Sequence, residues 1–417
     1  MKALFGTYLQ GDRVIWAVVI TLSLLSVLAV YSSTGTLAYK YQGGNTWYYL
    51  FKHMGLMGFG LFLMYAVHLV PYSYFSRAGV LLIGLAIPML LLTLVLGTNR
   101  NEATRWLTIP IINLSFQTSD LGKLALVTFL ARQISRNQDT ITDLKKGFLP
   151  MVLPVLAVCA LIFPANFSTA ALIFTGSMVL MFIGRAKLTH IVALLGTAML
   201  AGSFVFLLSY VLPMEKVLPR METWKKRVET FVGRGDAQQV DDADANYQVE
   251  QAKIAIANGG ITGVGPGNST QRNFLPHPYS DFIYAIVIEE YGLMTGLGVM
   301  FLYLVVLLRA LLIAHRTESV FGSVLAFGCA FFLIFQALIN MAVAVNLFPV
   351  TGQPLPLVSM GGTSLWFTSI ALGMVLSVSR VNEKIKADTN IESNSNITNY
   401  ESANQSDSPE GLELAPA

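Results

Sequence analysis

The sequence predicts an all-α polytopic membrane protein of about ten transmembrane helices with one large extracytoplasmic loop. Three observations predict it. The 417 residues are 54% hydrophobic and only 12% charged, with strongly positive mean hydropathy, whereas soluble domains carry about 25% charged residues. Ten apolar segments divide the chain, at roughly 14–33, 47–70, 78–97, 119–134, 148–164, 168–184, 188–212, 288–313, 319–343 and 359–379, and most reach the about 20 residues a helix needs to cross a bilayer. Finally, Lys and Arg are concentrated in alternate connections.

Residues 1–13 form a short N-terminal stretch. Asp12-Arg13 precede the first segment and no small-residue cleavage site follows, so that segment reads as a retained helix and not a cleaved signal peptide. The fourth and fifth segments are short or interrupted by proline, so their ends are the least sharply marked. Connections on the N-terminal side carry fourteen basic residues: Lys2, Arg13, Arg77, Arg132, Arg136, Lys145, Lys146, Arg185, Lys187, Arg309, Arg316, Arg380, Lys384 and Lys386. The short connections opposite carry three, Lys40, Arg100 and Arg105. That bias places both termini in the cytoplasm. The loop 213–280 is left out of the count, because long segments translocate regardless of charge, and it faces outward.

The membrane domain thus spans 14–380. Residues 381–417, rich in Asn, Ser, Asp and Glu with few large apolar side chains, predict a disordered cytoplasmic tail, either solvated or used for docking. The net charge of +3 is mostly topological, and no nucleic-acid partner is expected. Cys159 and Cys329 both lie in apolar segments; they give neither a disulfide framework nor a metal spacing and read as packing residues.

Chemistry-bearing residues gather near the outer connections. Ser280-Asp281-Phe282-Ile283-Tyr284 marks the return of the long loop into apolar sequence, and a carboxylate at a membrane boundary is a functional-site hypothesis by default. Glu289 follows eight residues later, on the same face if the helix already includes Asp281. Lys216, Arg220, Lys225, Lys226, Arg227 and Arg234, interleaved with Trp224 and Phe231, suit an amphipathic surface helix; it would either bind an anionic head group or simply snorkel. Asp236, Asp241, Asp242 and Asp244 form an acidic stretch without calcium-loop spacing. Gly259-Gly260-Ile261-Thr262-Gly263-Val264-Gly265-Pro266-Gly267 allows backbone amides to approach a phosphate, or forms a flexible loop; no Gly-Lys-Ser/Thr follows to make it a nucleotide loop. Asp120 and Lys123, three apart, can pair on one helix face. Gln336 and Asn340, four apart, can bond across helices. Arg105-Trp106 suits an anion site or an interfacial anchor, and His190 lies near a helix end.

In order along residues 14–380, these motifs resemble the SEDS family (shape, elongation, division and sporulation), the FtsW/RodA group of peptidoglycan polymerases. Arg105-Trp106 is similar to the family's Arg-Trp, and Phe116-Gln117-Thr118-Ser119-Asp120 with Lys123 resembles its Phe-Gln-Pro-Ser-Glu-x-x-Lys. Tyr247-Gln248 through Gly267, Ser269 and Gln271 follow its loop pattern. Leu275-Pro276, Asp281-Phe282-Ile283-Tyr284-Ala285 and Glu289-Glu290-Tyr291-Gly292 resemble its central signature. Phe335-Gln336-Ala337, Asn340, Pro349, Thr351-Gly352, Leu355-Pro356-Leu357 and Ser359-Met360-Gly361-Gly362-Thr363-Ser364 resemble its C-terminal one. Departures are Asn166 where the family has an acid, His277 and Tyr279 where it has Glu and His, Thr118 for Pro and Met360 for Tyr.

The resemblance implies a lipid II polymerase of the bacterial inner membrane, more FtsW-like than RodA-like, with Asp281 as general base. It implies substrate contacts from Arg105, Gln117, Lys123, Arg220, Arg227, Gln248, Ser269, Gln271, Glu290, Ser359, Gly361 and Gly362, with Lys123 foremost among the cations for the leaving pyrophosphate. A divalent cation, Mg or Mn, would assist there, although no residue spacing names its ligands. The implied partners are a class B penicillin-binding transpeptidase, other divisome or elongasome membrane proteins and the surrounding lipids. Two competing classes are a flippase for the same lipid, which would show as transport in vesicles, and a catalytically weak division scaffold, which would form no polymer. The absence of an inverted-repeat pattern weighs against the first, and the retained Asp281 against the second.

Overall fold

The computed structural model describes residues 9–100, 103–109, 114–209, Trp224, Arg227 and 243–406. All ten apolar segments become helices. In chain order the elements are α1 (Arg13–Ser33), the short α2 (Gly35–Gln42), α3 (Thr46–Leu69), α4 (Ser73–Leu96), β1 (Thr98–Arg100), β2 (Ala103–Ile109), β3 (Leu114–Gln117), α5 (Thr118–Arg136), α6 (Leu149–Ile162), α7 (Phe167–Ile183), α8 (Leu188–Leu208), α9 (Ala243–Gly259), α10 (Ile283–Arg316), α11 (Val320–Ala344) and α12 (Ser364–Ser406). A π-helical turn at Leu144–Phe148 lengthens α6 at its start. Among the described residues, eight helices are long and apolar enough to span a bilayer. The other two members of the bundle are α7, of 17 residues, and α5, whose Asp120, Lys123, Arg132 and Arg136 lower its hydropathy.

Burial explains why α5 tolerates Asp120 and Lys123 along its length, while Arg136 is exposed in its last turn. It runs through the interior, with Leu124, Ala125, Leu126, Val127, Leu130 and Ala131 all buried, and packs against α4, α7 and α11. Charged side chains inside a bundle are enclosed by protein and not by lipid. By contrast, α8 leaves Val192, Met199, Leu200, Phe204 and Leu207 exposed, as suits a helix bathed in lipid. The core otherwise runs continuously through α1, α5, α10, α11 and α12.

Two local structures escape the sequence reading. Residues 98–117 fold as a three-stranded antiparallel sheet in the order β1-β2-β3, with Trp106 opposite Gln117 and Leu107 opposite Phe116. A helical period search passes over such short strands. Residues 381–406, expected to be disordered, continue α12 as helix as far as Ser406. Polar composition argues against a buried core, yet it leaves a helix free to propagate from a preformed, packed segment without a new nucleus. Residues 407–417 of that tail, like residues 1–8, lie outside the described residues.

The connections after α1, α4, α6, α8 and α11 all emerge at one end of the bundle, as the alternation of helix direction requires. The candidate residues collect at this end.

Candidate active site

The site is built on the segment 345–363 between α11 and α12, which turns back into the protein without forming a helix. Thr351, Gln353, Leu355, Leu357, Val358 and Ser359 along it are buried. Non-helical backbone at membrane depth is tolerated only where protein satisfies its polar groups, and here side chains from neighbouring elements do so. The Arg227 Nη1–H donates to the Val350 carbonyl at 2.9 Å. Asn340 Nδ2 on α11 donates to the Gln353 carbonyl at 2.7 Å, and Gln336 Nε2, one turn earlier, to the Pro354 carbonyl at 2.9 Å. The Tyr303 hydroxyl on α10 donates to the Pro356 carbonyl, and the Ser26 hydroxyl on α1 to that of Val358 at 2.8 Å. Leu357 holds a left-handed φ of 63°, a conformation that disfavours a side chain by about 1–2 kcal/mol, so the segment keeps its shape because these bonds impose it.

Asp281 rests on this segment. It lies in the turn just before α10, half-buried. Its carbonyl accepts the second Nδ2 hydrogen of Asn340 at 2.8 Å. The preceding carbonyl, Ser280, accepts from the Ser359 hydroxyl at 2.6 Å, and Ser359 Oγ in turn accepts the Leu355 N–H at 2.8 Å. The Met360 N–H donates to the Tyr279 carbonyl at 2.9 Å. Backbone on both sides of Asp281 is therefore fixed by α11 and by the re-entrant segment. Its Oδ1 accepts from the Ser280 hydroxyl at 2.9 Å. A carboxylate so placed has a fixed base beneath it and acceptor capacity left for a substrate hydroxyl.

Lys123 joins the same network. Its Nζ lies 3.4 Å from Asp120 and donates to Gln336 Oε1 at 2.7 Å. Both readings of Lys123 thus meet at one residue: it is ion-paired on α5, and through Gln336 it is tied to the segment that carries Asp281. Gln117 ends β3, its N–H donating to Thr363 Oγ1 at 3.3 Å, so the small sheet is pinned to the same segment. Gly361 and Gly362 follow on its last turn before α12, Gly362 with a φ of 56°. Asn166, at the family's acidic position, serves as N-cap of α7 by accepting the Thr169 N–H at 3.3 Å. Thr169 Oγ1 in turn accepts from Gln353 Nε2 at 2.6 Å. A neutral cap suffices for this role.

Several expectations shift. Asp281 and Glu289 do not share a helical face, because the helix begins only at Ile283. Glu289 is buried and accepts from Ser269 Oγ, Thr270 N–H at 3.2 Å, Thr270 Oγ1 at 3.1 Å and Gln271 N–H at 3.3 Å. Glu290 is also buried and bonded to Ser32. Ser269, Gln271 and Glu290 therefore belong to the seam joining the long loop to α10 and α1, apart from Asp281. Gln248 sits half-buried on α9.

The glycine run is neither a flexible loop nor a phosphate cradle. The Val264 and Gly265 N–H groups donate to the Glu289 and Glu290 carbonyls at 2.9 and 3.0 Å, and Leu293 N–H to Gly260 O at 2.9 Å. This exchange fills the gap in the α10 ladder at Gly292, whose φ and ψ are 83° and 168°. A Cβ on Gly263 would lie 2.3 Å from the Glu290 carbonyl, and one on Gly292 would lie 2.2 Å from the Ile261 carbonyl. The glycines are there because two backbones touch.

Arg105 lies in β2. Arg220, the acidic residues Asp236, Asp241 and Asp242, and most of the proposed surface helix lie outside the described residues. From that helix Trp224 packs on Phe163 and Phe167, with ring centroids 5.1 and 5.3 Å away. Sequence reasoning missed Ser26, Tyr303 and Gln353 altogether; the density of small polar residues in otherwise apolar helices was the signal available. Among the described residues, no three His, Cys, Asp or Glu side chains gather to hold a metal ion. The chemistry below is therefore derived from the protein's own side chains.

Comparison with known proteins follows this geometry. The family model described as "Cell cycle protein", covering FtsW, RodA and SpoVE, matches residues 12–384. A probable peptidoglycan glycosyltransferase FtsW from Marinobacter nauticus is 32% identical over 341 residues, covering 80% of this chain and 81% of that one. Stage V sporulation protein E of Bacillus subtilis is 30% identical over 369 residues, covering 87% and 96%. Among solved structures, a chain of a peptidoglycan synthase complex that coordinates polymerization and crosslinking superposes with a TM-score of 0.67 at 24% identity, covering 89% and 98%. The rod shape determining protein RodA of Thermus thermophilus superposes at 0.61 and 21%, covering 89% and 97%.

Proposed function

Since this chain belongs to the FtsW/RodA/SpoVE cell cycle protein family, we propose that it polymerises lipid II into glycan strands at the outer face of the cytoplasmic membrane during cell division. One observation carries the reading: Asp281 sits half-exposed at the loop end while Asn340 and Ser359 fix the backbone on either side of it. Preorganised placement of this kind is what a general base needs, geometry first. The basic residues of the opposite connections support cytoplasmic termini, which puts Asp281 on the outer side.

In the proposed step the Asp281 carboxylate takes the proton of an acceptor sugar hydroxyl. That oxygen attacks the anomeric carbon of the donor, the new C–O bond forms, and the bond to the lipid pyrophosphate breaks with its electron pair leaving on the phosphate. Positioned cations stabilise the departing charge. Lys123, held by Asp120 and Gln336, is the first candidate; Arg105 and Arg220 complete the cationic set on the sequence pattern. A structure of a peptidoglycan synthase complex among the superposable folds supports a crosslinking transpeptidase as partner.

The test is lipid II polymerisation by the purified protein with its transpeptidase, wild type against Asp281→Asn. A base of this kind contributes about 10²–10⁴-fold, so glycan chains are expected from wild type only. Equal chain formation by a folded Asp281→Asn variant would overturn the assignment of the base. Lipid transport in vesicles without polymer from wild type would favour the flippase instead.

A further inference from the structure

Ser26 on α1 and His53 on α3 are fully buried polar residues that lie outside every motif considered above. They are 2.8 Å apart, Ser26 Oγ to His53 Nε2. The Ser26 hydroxyl has one proton, and it goes to the Val358 carbonyl at 2.8 Å, which can only accept. Ser26 Oγ must therefore accept from His53, which fixes a proton on Nε2, while Nδ1 has no partner among the described residues.

If this pair only fastened α1 to α3, the chain of bonds would end on one of those helices. It ends instead on Val358, between left-handed Leu357 and Ser359, whose hydroxyl holds the Ser280 carbonyl beside Asp281. Ser26 bonds the carbonyl immediately before the Ser359 N–H, so the strained turn is gripped at the residue that sets where the Ser359 hydroxyl points. We propose that Ser26 and His53 are positioning residues for the polymerisation reaction: a buried imidazole-to-hydroxyl relay that holds the 357–359 turn and, through Ser359, the backbone of Asp281. The inference rests on the functional reading given above.

The experiment pairs donor-less with donor-retaining variants in the reconstituted synthase complex. Ser26→Ala and His53→Phe remove the relay; Ser26→Thr keeps the hydroxyl and His53→Gln keeps an N–H. Small misplacements of a reacting group lower turnover by as much as about 100-fold. The expected result is a kcat about 10- to 100-fold lower in the donor-less pair with KM for lipid II nearly unchanged, and recovery in the donor-retaining pair. Amide hydrogen exchange over residues 355–360 should also quicken in Ser26→Ala while that of α11 stays as in wild type. Equal turnover in both pairs, or turnover that falls only in step with thermal stability in all four variants, overturns the proposal. Should the donor-less variants fail to fold, Ser26→Cys, which keeps only a weak donor, decides: turnover and 355–360 exchange both as in wild type overturn the proposal. A wild type that makes no glycan would refute the functional reading, while the exchange measurement would still judge the relay.

Discussion

Asn340→Leu removes a side chain with two hydrogen bonds in the site while keeping its branching at Cγ, so hydrogen bonding is lost and no cavity forms. The Asn340 amide is the donor to two carbonyls, the part-buried one of Asp281 at 2.8 Å and the buried one of Gln353 at 2.7 Å. Leaving one buried polar group unsatisfied costs about 1–3 kcal/mol, hence about 2–6 kcal/mol for two. Hydrogen bonds between membrane helices measure lower, about 0.6 kcal/mol on average and about 1.7 at most, because the unfolded reference finds other partners. These acceptors belong to non-helical backbone, whose carbonyls have no helical ladder to return to. The value expected is therefore near the overlap of the two ranges, about 3 kcal/mol, or a shift of roughly 10² in the unfolding equilibrium. Equilibrium unfolding in mixed detergent micelles measures it, and polymerisation by the same preparation should fall by about 10- to 100-fold as Asp281 loses its support. A variant within about 0.5 kcal/mol of wild type that still polymerises normally would refute the idea that this amide fixes the site.

Other perturbations follow from the same contacts. Lys123→Met leaves Asp120, only 4% exposed, without its ion-pair partner and should cost about 3–5 kcal/mol; adding Asp120→Asn should restore stability, and a stable double variant with full activity would remove Lys123 from the chemistry. Gly292→Ala places a Cβ 2.2 Å from the Ile261 carbonyl at a φ of 83°, so about 2–5 kcal/mol should be lost from overpacking and left-handed strain together, read as a lower thermal midpoint; an unshifted midpoint would show that the two backbones can part freely. Asp143 is held below its ordinary value of 3.8 by the N–H groups of Lys146 and Lys145. A depressed carboxylate stabilises above its unfolded pKa and loses that contribution as pH falls through the folded one, so the stability difference between wild type and Asp143→Ala should be full at neutral pH and fade below about pH 3.8. A difference that grows on acidification would contradict that sign.

Much of the fold was legible because lipid makes a simple demand. Ten apolar runs of the right length have few alternatives to ten helices, and even the short run at 168–184 forms one, Phe167–Ile183. Asp281 was legible for a related reason, since a lone carboxylate where a polar loop re-enters apolar sequence is costly without a use. The failures share a different cause. Sequence spacing put Glu289 on a face with Asp281, but the helix starts at Ile283 and Glu289 turns to Ser269 and Thr270. Glycine density suggested mobility or a phosphate, whereas Gly263 and Gly292 mark a backbone-to-backbone seam. Polar composition suggested disorder after residue 380, whereas α12 carries on to Ser406.

By itself the sequence determined the membrane class, the number of bundle helices, the end at which the polar motifs gather and the residue that stands out among them. Those follow from local chemistry: apolar length against bilayer thickness, and charge against the cost of its burial. Only the tertiary structure decided what holds that residue. Ser26 lies 332 positions from Val358, Lys123 lies 213 from Gln336, and Ser359 lies 79 from the Ser280 carbonyl it holds. A non-helical segment inside a membrane protein must borrow hydrogen bonds from elsewhere, and which distant side chain supplies each one is a matter of packing that no local pattern encodes.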